Sequence, residues 1–150
     1  MQINHILVPI DFSSDSEVAI DMAISLAKKL GSRITLLHAI HEVYIGVGEM
    51  AAALPPSYIE DIEAEVEREM QGYVNKVVEA GLNGDSVVVH GVPFQSILDA
   101  AEDQNIDLIV MGTHGRTGLK HVLLGSVAEK VIRLARCPVL VSRSASEAND

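Results

Sequence analysis

The chain has 150 residues, 48% of them hydrophobic, and a formal net charge of −10. That length suits one compact domain with its own core, and the hydrophobic content excludes a disordered chain. The charge argues against a nucleic-acid partner, since an acidic domain repels phosphates unless it carries a strong basic patch, and no apolar run approaches the roughly 18 residues of a membrane span. The opening Met1-Gln-Ile-Asn-His5 lacks the basic stretch of a secretory leader, so a cytoplasmic protein is expected. Ile6–Ile10 is short, apolar and followed by turn residues, as a buried strand is. Ser14-Asp-Ser-Glu17 has capping-box spacing and predicts a helix whose Ala19, Met22, Ala23, Leu26 and Leu30 face the core. Gly31 then closes that helix, and Ile34–Ala39 is the second strand. Glu42 to Pro56 is irregular, with Gly46, Gly48 and a Pro-Pro pair. Ser57-Tyr-Ile-Glu60 predicts the start of a long helix ending near Gly81. Its apolar stripe is Ile59, Ile62, Val66, Met70 and Tyr73, and the acids between Glu60 and Glu69 fall on a solvated face. Ser86–His90 reads as the third strand, and Pro93 suits the first turn of a helix through Asp103. Leu108–Met111 is continuously apolar, as a central parallel strand is. Ser126–Ala135 is the last helix and Pro138–Val141 the last strand, with Cys137 a small apolar filler before it. That single cysteine excludes an intramolecular disulfide and suits a reducing compartment. The polar tail from Ser142 to Asp150 is expected to fray.

Alternating strands and helices predict an α/β fold with a mostly parallel sheet, right-handed crossovers and helices on both faces. In such sheets ligands sit at the carboxyl ends of the strands. Three places qualify: Asp11, Ala39-Ile40-His41 and Gly112-Thr-His-Gly115. The last is the richest. Gly112, Gly115, Gly118 and Gly125 share one connection, together with His114, Arg116, Lys120 and His121 and no acidic residue. Glycine lets backbone N–H groups approach an anion with no Cβ in the way. Ser126-Val-Ala-Glu129 has capping-box spacing, so free N–H donors and the positive end of a helix dipole meet at Ser126. Together these features favour a phosphate. A P-loop is excluded because G-x-x-x-x-G-K-[ST] occurs nowhere, and Asp11-Phe-Ser-Ser stands where a dinucleotide fingerprint would follow the first strand. The histidines lack metal-ligand spacing, and His38 and His41 do not share a strand face. Asp11 reads equally well as a turn former or as a ligand-facing carboxylate.

Gly112-x-x-Gly115, nine further residues and then Gly125-Ser126 resemble the nucleotide-binding motif of the ATP-binding branch of the universal stress proteins. Ile6-Leu-Val-Pro-Ile-Asp11, Asp107-Leu-Ile-Val-Met-Gly-Thr-His-Gly-Arg116, Ser126-Val-Ala-Glu-Lys-Val131 and Cys137-Pro-Val-Leu-Val141 agree with it, so the resemblance runs from about Ile3 to Arg143. It implies a three-layer, Rossmann-like domain over residues 1–143, with a five-stranded parallel sheet of order 3-2-1-4-5, and a polar tail at 144–150. By the same resemblance Gly112, Gly115, Gly125 and Ser126 hold phosphates and ribose, with Val127 adding a backbone contact; Arg116 of the basic stretch is added to them as a charge expected to read the phosphates. Pro9, Ile10, Asp11 and Ala39 border the nucleoside, and Met111 lines the pocket. The implied ligand is ATP, with Mg as its companion and Asp11 as a carboxylate for a hydroxyl or metal. The implied function is a regulatory or sensor module in stress response, a homodimer through its last strand that acts on a protein partner the sequence does not identify. Neither nucleic acid nor membrane is expected as a partner. The alternative is a slow ATPase or phosphotransferase, with Asp11, His114 and Glu129 as candidate groups whose spacing compels no role. No catalytic residue and no resident metal site is assigned.

Overall fold

In the computed structural model, residues 1–41, 55–115 and 124–144 are described in full, and residues 44–45 and 52–53 by their backbone. The elements run β1 (His5–Pro9), α1 (Ser14–Leu30), β2 (Arg33–Ile40), β3 (Tyr44–Ile45), β4 (Ala52–Ala53), α2 (Pro56–Glu79), β5 (Gly84–His90), α3 (Pro93–Asp103), β6 (Leu108–Gly112), α4 (Ser126–Leu134) and β7 (Val139–Ser142). Five strands form one sheet in the order β5-β2-β1-β6-β7, every neighbouring pair parallel. Setting aside the small antiparallel hairpin β3–β4, this is the order 3-2-1-4-5. The hairpin lies in the stretch read from sequence as irregular.

Alternation along the strands makes the three layers. Ile6, Val8, Ile34 and Leu36 pack under α1 and α2 with Ala19, Ile20, Ala23, Met70, Val74 and Val77. Leu7, Leu37, Ile109 and Met111 pack on the opposite face against Ile97 of α3 and Ala128 and Val131 of α4. The buried stripe of α1 ends at Ala27, and Leu30 is 48% exposed. Leu30 was expected to face inward. Gly31, left-handed at φ 73°, turns the chain away directly after it. The stripe of α2 reaches the core only from Val66 onward, with Met70 buried and Val66 and Tyr73 packed against it; Ile59 and Ile62 are half-buried, and Val74 and Val77, which the sequence reading did not name, carry the buried face further.

Three helix starts differ from the sequence reading. Ser13 caps α1, its Oγ accepting the Ser16 N–H at 3.2 Å, so the cap is one residue earlier than Ser14. α2 begins at Pro56 with Pro55 as its cap and no side-chain cap bond. Proline at the first helical position already has the helical φ, which places Ser57 inside the helix. Gly125, not Ser126, caps α4. At the end of the described chain Ser142 and Ser144 are buried, where fraying was expected from Ser142 onward; the rest of that tail, 145–150, lies outside the described residues. Among the described residues no helix is long and apolar enough to cross a membrane.

The chain order reverses between β1 and β6, which lie side by side at the sheet's centre. Connections leaving their carboxyl ends diverge to opposite sides and open a crevice there.

Candidate functional site

A cavity of about 450 Å³ lies in this crevice. It is lined by Pro9 at the end of β1 and Ile10 and Asp11 after it, Ala39 of β2, Met111 and Gly112 of β6, Gly115 of the connection, and Gly125, Ser126 and Val127 at the start of α4. These are ten of the eleven residues singled out from the sequence. The eleventh, Arg116, lies outside the described residues, as do Gly118, Lys120 and His121. Sequence reasoning missed the apolar wall supplied by Leu37, Pro93 and Ile97, and the polar Ser16 and Thr113. Leu37 was within reach, since it shares a strand face with Ala39 two residues on.

A larger and more open depression of about 790 Å³ lies at the opposite end of the sheet, bordered by Gly31, Gly81 and Gln104. Those residues follow α1, α2 and α3, so three helix C-termini meet there. Their dipoles present negative ends, the wrong sign for a phosphate.

The turn after β1 shapes one wall of the crevice. Asp11 Oδ1 accepts the Ser13 N–H at 3.0 Å and the Ser13 hydroxyl at 2.5 Å, an Asx turn. Between them Phe12 adopts φ 63°, a left-handed conformation that costs a bulky residue roughly 1–2 kcal/mol. Its ring offsets this cost by packing 4.7 Å from the His38 ring and 6.1 Å from Tyr73. His38 is held in turn by its Nδ1 against the Ile10 carbonyl at 2.7 Å. Asp11 Oδ2 is left facing the glycine connection: a Cβ on Gly115 would stand 2.7 Å from it.

At the end of β6 the missing side chain of Gly112 has a different use. A Cβ there would lie 2.7 Å from Asp15 Cβ and 2.9 Å from its backbone carbon, so Gly112 lets the first turn of α1 pack directly on the strand. Asp15 is buried. Its Oδ2 accepts the Thr113 hydroxyl at 2.9 Å and the His114 N–H at 3.1 Å, and its Oδ1 accepts the Ser144 N–H at 3.2 Å. Burial alone would raise this carboxyl's pKa; the hydrogen bonds from Thr113, Ser144 and His114 outweigh it and hold the pKa below its ordinary value. The Thr113 carbonyl accepts the Gly125 N–H at 2.7 Å, fixing the residue that caps α4. Because no side chain caps α4, the N–H groups of its first turn are offered to the cavity with the positive end of the dipole. Glu129 pairs with Arg133 one turn on at 3.2 Å and is not part of the lining. The site therefore joins a helix N-terminus, a single carboxylate and an apolar slot in one space.

The family model of the universal stress protein family matches residues 2–143. Universal stress protein YxiE of Bacillus subtilis is 34% identical over 146 residues, covering 93% of this chain and 99% of that protein. Universal stress protein MJ0577 of Methanocaldococcus jannaschii is 31% identical over 149 residues, covering 91% of this chain and 92% of that one. The solved structure of MJ0577 matches with a TM-score of 0.78 at 29% identity, over 96% of this chain and 98% of the other. A universal stress protein solved in complex with cAMP matches with a TM-score of 0.72 over 95% of this chain and 98% of that one. At 22% identity that last likeness speaks to the fold alone. The chain belongs to the universal stress protein family.

Proposed function

We propose that the cavity binds an adenine nucleotide, ATP in the first place, and that the protein is a nucleotide-responsive regulatory module. One observation carries this reading: an apolar slot and a helix N-terminus with no side-chain cap open into the same 450 Å³ cavity. Leu37, Ala39, Ile97 and Met111 offer a flat base an apolar bed. The first turn of α4 offers phosphates N–H donors and a favourable dipole. Asp11 Oδ2, turned toward Gly115, suits a ribose hydroxyl. That a protein of the same fold was solved with cAMP is in keeping with this choice of ligand.

Among the described residues Asp11 is the one acidic side chain lining the cavity, so a Mg ion entering with the phosphates would meet that carboxylate there. Among the described residues no group of three or more His, Cys, Asp or Glu is placed to hold a metal by itself. Regulation is favoured over efficient turnover by the state of the candidate groups. Hydrolysis needs a group free to orient or deprotonate water. One Asp11 oxygen is engaged by Ser13, the His114 Nδ1 lies 3.1 Å from the Thr113 hydroxyl, and Glu129 stands outside the cavity. We further assign a homodimer through β7, a cytoplasmic location consistent with the single cysteine, and a protein partner whose binding the nucleotide controls.

The test is to denature freshly purified protein and identify what it releases. An adenine nucleotide near one per chain is the expected result. Protein that releases none and does not take up added ATP contradicts the reading.

A further inference from the structure

We propose that Asp15 is a positioning residue that couples occupancy of the cavity to the chain leaving the edge strand β7. The proposal rests on the reading of the cavity as a nucleotide site and adds a second place at which the ligand is felt.

The two oxygens of this carboxylate serve different parts of the chain. Oδ2 holds Thr113 and His114 at the start of the glycine connection, and Oδ1 holds the Ser144 N–H. Thr113 spreads the first attachment further. Its own N–H donates to the Ser142 carbonyl at 2.9 Å, and its carbonyl receives the Gly125 N–H at 2.7 Å. A ligand that fixes Gly115 and the start of α4 therefore fixes Thr113, and through Thr113 both the carboxylate and the last residues of β7. The chain is built for the close approach this needs, because only glycine at position 112 leaves room for Asp15.

Asp15 is 2% exposed, and a buried carboxylate stays ionised only while its hydrogen bonds are made. The bonds on its two oxygens are thus mutually dependent: each donor stabilises the charge that the others use. Loosening Ser144 loosens the hold on Thr113 and His114, and fixing Thr113 and His114 tightens the hold on Ser144. Coupling between binding sites is reciprocal, so whatever engages the chain after β7 must feel the nucleotide as the nucleotide feels it. Ser144 itself does not line the cavity, which makes the claim separable from direct ligand contact.

Two substitutions divide the clamp. Asp15→Asn keeps the shape but has one acceptor oxygen and one NH₂ donor, so it serves one side and opposes the other. Ser144→Pro deletes both Ser144 donors, the N–H and the hydroxyl, and leaves the Thr113 and His114 side in place. The experiment is amide exchange read by mass spectrometry on the whole chain, with and without ATP, alongside calorimetric affinities. In the wild type ATP slows exchange in the peptide holding Ser144. In Asp15→Asn the affinity for ATP falls about fivefold or more, the lower end of ordinary coupling, and ATP no longer slows exchange at Ser144. In Ser144→Pro affinity falls by less than in Asp15→Asn, with circular dichroism unchanged. ATP bound by the wild type with no change at Ser144 overturns the proposal, as does unaltered affinity in both folded variants. Should Asp15→Asn fail to fold, Ser144→Pro decides alone. Failure of the wild type to bind ATP at all overturns the site reading together with the coupling, and is recognised before any substitution is made.

Discussion

At Asp11 one carboxylate oxygen accepts the Ser13 N–H at 3.0 Å, while the other stands 2.7 Å from where a Cβ on Gly115 would be. The two sequence readings of this residue, turn former and ligand-facing carboxylate, are thus compatible. Gly115 is not among the residues of positive φ, so the space beside Asp11, rather than a left-handed backbone, is what requires it. Gly115→Ala is expected to displace the carboxylate and lower ATP affinity at least about tenfold, or about 1.4 kcal/mol, with the fold intact. Calorimetry finding unchanged affinity would remove Gly115 and Asp11 from the site. Changing Arg116 and Lys120 together to Ala is expected to weaken ATP more than adenosine and to flatten the salt dependence of binding; equal losses for both ligands would show that neither side chain reads charge. A further residue-scale prediction concerns His5. It is buried, with Nε2 2.8 Å from the Thr35 hydroxyl, which donates to Asp85 at 2.5 Å, and with Nδ1 accepting from Arg33 at 3.0 Å. This arrangement suits the neutral ring. Burial and the Arg33 charge lower its pKa below 6.5, against the opposing pull of the Gln104 carbonyl, Asp85 and Asp107. The unfolded chain therefore binds this proton more readily: stability is full above 6.5 and declines as pH falls from there toward the lowered folded value. His5→Gln should flatten the fall in urea midpoint between about pH 7.5 and about 5.5; an unchanged slope would show that other groups govern it. Asp15 and Phe12 were not legible in the sequence. In Ser-Ser-Asp-Ser-Glu an aspartate reads as an exposed first-turn acid, and only contact with a strand end 98 residues away buries it.

Helices α3 and α4 and the central strands were legible to within a residue or two because period and flanking turn residues agree there. The misplaced caps of α1 and α4 share a cause. Wherever two candidate cap residues stand together, Ser13 and Ser14 or Gly125 and Ser126, sequence spacing does not choose between them, and the approach of the preceding strand does. β5 begins at Gly84, two residues before the expected start, because α2 lies across it: a Cβ at Gly84 would be 2.5 Å from Val77 Cγ1. The junction of α1 and β6 is tighter still in consequence, since the obstacle there is backbone. Gly112→Ala is expected to force α1 away from the strand and cost about 1–3 kcal/mol of stability, as overpacking does, while also weakening ATP binding through Thr113. Chemical denaturation reads the first effect and calorimetry the second. Full stability in Gly112→Ala would mean that the α1–β6 contact is slack.

For the whole molecule, the alternation of elements predicted the class of fold, and the resemblance to the universal stress proteins supplied the strand order, which composition and periodicity alone do not fix. That order puts β7 at the edge of the sheet, with Val139, Leu140 and Val141 only partly buried, and Ile132 and Leu134 of α4 are exposed. The Pro138 and Ser142 carbonyls accept from Ile109 of β6 and from Thr113 just after it, so in a parallel ladder Val139 and Val141 turn their N–H and C=O groups outward. Antiparallel pairing of two copies about a twofold axis would satisfy these groups and cover the apolar side chains. Val141→Pro removes an outward donor and spares the pairing with β6. Sedimentation is expected to show a dimer for the wild type and a species near 16.1 kDa for the variant; a wild type already monomeric at tens of micromolar contradicts the dimer and leaves the nucleotide site standing.

The central claim is that the crevice between β1 and β6 takes an adenine nucleotide by its phosphates and its base together. Calorimetric titration of nucleotide-free wild-type protein with ATP tests it most directly. The account predicts saturable binding of about one ATP per chain, in the range of about 1 µM to 1 mM, and weaker binding of adenosine, which lacks the phosphates that α4 is placed to receive. Absence of saturable heat from a folded, nucleotide-free protein, or equal affinity for ATP and adenosine, would contradict it.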